Sequence, residues 1–134
     1  MLLPWYAYDY VCDDPQLERL DCVPPAGFPH TNPGIGEVMD LRASVGSPRV
    51  VFDRVSASKY FDYVEKATHS KFYGHRRRVT YDDAETIGLK YAAVLNAGVG
   101  GIGIWTADAT HRESAADTKD LAAVMWAAVR NATR

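Results

Sequence analysis

Nowhere does this chain of 134 residues hold the roughly eighteen consecutive apolar residues that a spanning helix needs, so no membrane crossing is expected. It also lacks a strong charge of either sign. A formal net charge of -2 gives no general attraction to nucleic acid or to an anionic membrane surface. A signal peptide is not expected in the residues at hand: Met1 is followed at once by Leu-Leu-Pro-Trp-Tyr, too short and too uncharged a run for one. The one cationic run, His75-Arg76-Arg77-Arg78, is expected on a solvated strand face or a hairpin tip, because Asp62, Glu65, Asp82 and Asp83 would oppose a polyanion. Nothing in the chain asks for a metal or another cofactor.

Cysteine is scarce, with two in all, but the two are close. Nine residues, Asp13 to Asp21, separate Cys12 from Cys22 in a segment rich in Pro and Asp. A disulfide closing that loop is expected, the alternative being two free thiols of a cytosolic protein. Asn131-Ala132-Thr133 is a glycosylation sequon that points weakly to the secretory route.

What the chain does have is apolar residues, 47%, and aromatic residues, 11%, which suffice for a buried core and argue against disorder. The length fits one domain or part of a larger one. Leu2 to Tyr8 is an apolar and aromatic run of strand length. Val11 to Gly34, with Pro15, Pro24, Pro25, Pro29 and Pro33, reads as a long excursion. A short helix is expected from Ile35 to Val45, burying Ile35, Val38, Met39 and the stem of Arg42. Lys59 to Val64 and Arg77 to Tyr81 read as a hairpin with its loop near His69 to Gly74.

Asp82 or Asp83 can cap a helix running from Asp83 to Ala97, with Ile87, Tyr91, Val94 and Leu95 on one side. The final helix, from about Ser114 to Asn131, carries a stripe of Leu121, Val124, Met125, Ala128 and Val129 that reads as core.

Between these helices lies the most informative stretch, Gly98-Val99-Gly100-Gly101-Ile102-Gly103-Ile104-Trp105. Gly98, Gly100 and Gly103 fit GxGxxG, but the order is reversed. A helix precedes the glycines and a strand follows, so no helix N-terminus faces a pyrophosphate and a nucleotide site is disfavoured. Gly98 reads instead as the C-terminal glycine of the helix, and Gly101 to Trp105 as a buried strand. Trp105 at its end either floors a sugar pocket, its apolar face on the C–H face of a pyranose, or packs beneath a loop.

The order of elements is that of the end of an α/β barrel or a doubly wound sheet. Two βα units cannot close a barrel of eight strands, so further units are expected upstream. In that arrangement Leu2 to Tyr6 and Gly101 to Trp105 should lie side by side as parallel strands.

Three blocks, Leu3-Pro4-Trp5-Tyr6-Ala7-Tyr8-Asp9-Tyr10, Val79-Thr80-Tyr81-Asp82-Asp83 leading to Lys90, and Gly100-Gly101-Ile102-Gly103-Ile104-Trp105, resemble glycoside hydrolase family 18, and within it the enzymes that cleave chitobiose. The resemblance covers nearly the whole chain. It implies the C-terminal portion of a (β/α)8 barrel, its last two βα units, with an inserted hairpin: residues 1–10 as the seventh strand, 11–82 as the insertion, and 83–134 as helix, eighth strand and last helix. It also implies substrate-assisted, retaining hydrolysis of β-1,4-linked N-acetylglucosamine in chito-oligosaccharides or N-glycan cores. Trp105 would floor the sugar pocket, with Tyr6 and Tyr8 beside it. The parent would be lysosomal or secreted, and the rest of the barrel would be required.

The chain departs from the family at Ala7, where glycine is usual, and at Tyr8, where many chitinases carry arginine. The acid motif DxxDxDxE is absent, and Asp82-Asp83-Ala84-Glu85 reads as a helix cap. No catalytic residue is therefore expected within this chain. The alternatives are a non-catalytic carbohydrate-binding module or an inactive chitinase-like protein.

Overall fold

In a computed structural model of the chain, residues 1–12, 22, 24 and 30–133 are described. Most of the excursion, residues 13–21, 23 and 25–29, with Pro15, Pro25 and Pro29, lies outside them. The described elements are β1 (Leu2–Pro4), β2 (Tyr8–Val11), α1 (Ile35–Ser44), β3 (Val51–Asp53), β4 (Ser58–Val64), β5 (Arg76–Tyr81), α2 (Ala84–Asn96), β6 (Gly103–Trp105) and α3 (Ala115–Ala132).

Two sheets form. β1 and β6 pair in parallel, Leu2 opposite Gly103 and Pro4 opposite Trp105, as expected from the sequence. The other four strands make an antiparallel sheet in the order β2-β5-β4-β3. The hairpin is thus β4 and β5, extended on one side by β2 and on the other by β3, which the sequence pattern did not reveal. The expected single strand from Leu2 to Tyr8 is two strands in different sheets. Trp5 to Ala7 carries the chain between them and is held by α1's approach: Ala7 N donates to Pro33 O at 2.8 Å and Ile35 N to Trp5 O at 3.0 Å.

α2 begins and ends as its residues dictate. The Asp83 carboxylate accepts from Glu85 N at 3.1 Å and Thr86 N at 3.2 Å, and Thr86 Oγ1 accepts from Asp83 N at 2.9 Å. At the other end Gly98 takes φ +76°, and the amides of Gly98 and Val99 donate to Leu95 O and Val94 O, the Schellman closure. α3 packs on α2 and sends Met125 into the core, where it joins Leu3, Trp5, Ile35, Val38, Phe61, Val79, Ile87 and Tyr91. Val124, expected in the core stripe, is instead 56% exposed.

Within the basic run His75 is exposed, but the three arginines are not solvated. Arg76 is fully buried and Arg77 and Arg78 nearly so, because β5 lies between two strands that bring carboxylates to it. Asp62 on β4 receives Arg76 Nη2 at 2.6 Å and Arg78 Nε at 2.7 Å; Arg77 Nε reaches Asp9 on β2 at 3.0 Å and its Nη1 reaches Glu65 at 3.3 Å. Burial raises the Asp62 pKa, but the bonds from Arg78 and Arg76 outweigh it and leave the carboxyl below its ordinary range. At Asp9 burial wins over Arg77 and Tyr63, and the pKa is raised.

Candidate functional site

Parallel pairing of β1 with β6 brings the C-terminal ends of both strands to one edge, and Trp5 N donates to Trp105 O at 2.8 Å across it. Beyond that bond, alternation sends successive side chains opposite ways. Trp5 is 1% exposed and meets Trp126 of α3 edge-on, ring centroids 5.2 Å apart. Tyr6 turns the other way, into a cleft of about 530 Å³ that it shares with Trp105. Trp105 is 60% exposed, so its ring covers no core. The peptide between Trp105 and Thr106 is cis.

Two other segments complete the cleft. One is the short 3-10 turn Ala107–Thr110 that follows β6, where Asp108 accepts a hydrogen bond from the Thr106 hydroxyl. The other is the N-terminus of α1. Glu37 there accepts from Gly34 N at 2.8 Å, and Asn32 just before it donates to Ala7 O at 3.2 Å. The two segments fit without side chains between them. A Cβ on Gly34 would lie 2.6 Å from Ala109 O, and one on Gly36 would overlap the carbonyl of His111. Arg112 bonds Asp40 of α1 at 2.6 and 2.8 Å, and Glu113 N reaches the same carboxylate at 3.0 Å. The Glu113 amide first, and Arg112 with it, hold the Asp40 carboxyl below its ordinary range.

The cleft therefore offers an exposed indole face, a phenol, and the polar groups of Asn32, Glu37, Asp108 and His111. An aromatic plane ringed by hydrogen-bonding groups suits a ligand with an apolar face and a polar rim, as a pyranose has.

Of the residues expected in the site, Trp105 and Tyr6 line this cleft together. Tyr8 lies one step along. Its ring meets Tyr6 edge-on at 5.7 Å and His30 at 5.8 Å, and the hydrogen bond that its hydroxyl donates to Tyr6, which favours the protonated phenol, is the chief reason its pKa is raised. Cys12 and Cys22 form the disulfide, Cα atoms 5.0 Å apart. Asn131 is exposed in the last turn of α3. The acidic cluster before α2 is occupied locally: Asp83 caps the helix, Lys59 bonds Asp83 and Glu85 at 2.6 Å each, and Asp82 takes Lys90 at 2.7 Å. Among the described residues no three His, Cys, Asp or Glu gather as metal ligands. Asn32, Glu37, Asp108 and His111 were missed from the sequence. Glu37 had a faint signal, three residues after the glycine that starts α1.

No family model matches the chain. Among curated proteins it is 29% identical to di-N-acetylchitobiase of Mus musculus over 97% of its own length and 36% of that protein's. It is 27% identical to di-N-acetylchitobiase of Homo sapiens over 94% of the chain and 33% of the relative. Among solved structures, the C-terminal domain of a putative chitinase from Desulfitobacterium hafniense superposes with a TM-score of 0.69 at 18% identity, over 100% of this chain and 34% of that one. The chain resembles glycoside hydrolase family 18. A family 18 chitinase from Cycas revoluta, solved with (GlcNAc)4, superposes with a TM-score of 0.64 at 15% identity, over 100% of this chain and 33% of that one. These solved structures show the fold alone: a small α/β piece shaped like part of these chitinase domains. The chain spans about a third of the length of the curated chitobiases it matches.

Proposed function

We propose that the chain is the C-terminal part of a chitobiase-like glycosidase, comprising the last two βα units of a family 18 barrel. Residues 1–10 carry the seventh strand, 11–82 the insertion, and 83–134 the helix, eighth strand and final helix. The substrate is β-1,4-linked N-acetylglucosamine in chito-oligosaccharides or N-glycan cores. Trp105 floors the pocket of the reacting sugar, Tyr6 forms its wall and Tyr8 backs Tyr6. The acetamido oxygen of the bound sugar attacks the anomeric carbon while an acid protonates the leaving oxygen. That acid comes from the absent DxxDxDxE segment, so the chain binds sugar without supplying the proton. A lysosomal or secreted location agrees with the Cys12–Cys22 disulfide.

The observation that carries this reading is the exposed Trp105 at the C-terminal end of β6, facing Tyr6 across a cleft, in a chain similar to di-N-acetylchitobiases over nearly its whole length. The test compares the purified 134-residue chain with the full-length protein on N,N′-diacetylchitobiose. Only the full-length protein should release N-acetylglucosamine. Release by the chain alone, or none by the full-length protein, would sink the proposal.

A further inference from the structure

We infer that Glu37 and Asp108 make the cleft selective for uncharged N-acetylhexosamine units and exclude sugars that carry a carboxylate on or beside the bound ring. The inference rests on the proposed sugar site and adds what that site rejects.

The two carboxylates reach the cleft from separate segments, Glu37 from the first turn of α1 and Asp108 from the turn after β6. Each has one oxygen committed internally, Glu37 to Gly34 N and Asp108 to the Thr106 hydroxyl. The remaining acceptor capacity has no partner among the described residues and suits sugar hydroxyls. Both side chains are exposed to the cleft, while the backbones beneath them are locked by the close approach of Gly34 to Ala109 and of Gly36 to His111. Neither can retreat by moving its segment. No lysine or arginine is among the described lining residues, and His111 is their one group able to take positive charge. A ligand carboxylate seated over Trp105 would face two fixed like charges. A neutral hydroxyl in the same place would meet two acceptors. Two carboxylates on the wall of one cleft repel a third, which lowers its affinity by roughly tenfold.

The test uses full-length protein and two probes differing in one group: N,N′-diacetylchitobiose, and the β-1,4-linked disaccharide of N-acetylglucosamine and N-acetylmuramic acid, which adds a lactyl carboxylate. Calorimetric titration, with the leaving-group acid of the DxxDxDxE segment replaced by its amide so that neither probe is consumed, should give at least about tenfold tighter binding of the neutral probe. The ratio should narrow in Glu37→Gln and Asp108→Asn, whose amide oxygens still accept the internal bonds. It should also narrow with Glu37 and Asp108 unsubstituted as salt rises. Equal affinity for both probes, or a preference unmoved by both substitutions and by salt, overturns the inference and leaves the sugar site standing. Binding of neither probe removes the sugar site and the inference together.

Discussion

At the scale of single residues, Trp105 separates binding from folding. Its ring is 60% exposed, and the bond its carbonyl accepts from Trp5 belongs to the main chain. Trp105→Ala in the full-length protein should therefore keep its melting temperature and lose kcat/KM on chitobiose. One covered indole face of about 100 Å² corresponds to about 2.5 kcal/mol, a loss of roughly seventyfold. Unchanged kinetics would show the indole to be idle. Asp62 is the opposite case. It is the carboxylate shared by Arg76 and Arg78, whose side chains are almost wholly buried. Asp62→Ala should lower stability by about 3–5 kcal/mol in urea titrations. Because the folded-state pKa of Asp62 lies below its ordinary value, the unfolded chain binds more protons as the medium acidifies. Its stabilisation is complete above the unfolded pKa of about 4 and is lost as pH falls through the folded value. Urea midpoints measured against pH should show a shallower acid limb in Asp62→Asn.

The elements differ in how far their own residues announce them. α2 was legible because each signal is local: a capping aspartate, a periodic apolar face and a terminal glycine lie within one stretch of chain. Asp83→Ala should cost about 1 kcal/mol for the lost cap, read as a shifted urea midpoint. The β4–β5 hairpin was legible from its alternation. The burial of Arg76, Arg77 and Arg78 was not, because Asp9 and Asp62, which neutralise them, are strand neighbours only after the sheet forms. The division of Leu2–Tyr8 between two sheets was hidden for a similar reason, since apolar residues continue across the point where the pairing partner changes. In the cleft, Trp105 could be placed from its strand end, whereas Asn32, Glu37 and Asp108 meet only through the docking of α1 on the turn after β6. Gly36 reports that docking. Gly36→Ala pushes a methyl into the His111 carbonyl and should destabilise by about 1–3 kcal/mol, with weakened sugar binding although residue 36 touches no sugar. Full stability in that variant would show that the two segments can part.

For the molecule as a whole, the parallel pair is the part least able to stand alone. Parallel strands belong to sheets covered on both faces, yet among the described residues β1 and β6 pair only with each other, and Leu2 is 63% exposed. Leu89, Val124 and Trp126 add exposed apolar surface on α2 and α3. The disulfide restrains one loop, the nine residues between Cys12 and Cys22. Opening a loop of this size by reduction should lower stability by about 3 kcal/mol, which denaturant titrations with and without reductant would measure. An unchanged midpoint would mean that the bond adds nothing to the fold.

The two isolated bridges, Tyr6 with Gly34 and Asp9 with Thr31, cinch the mouth of the excursion with main-chain bonds. Its length is thereby uncoupled from the geometry of the cleft. By the loop-closure argument, doubling the length of chain between two fixed ends costs only about 0.6 kcal/mol. The segment between Cys12 and His30 is thus where lineages can diverge in length, and where an engineer can graft an epitope or a second domain, while Tyr6 and Trp105 stay face to face.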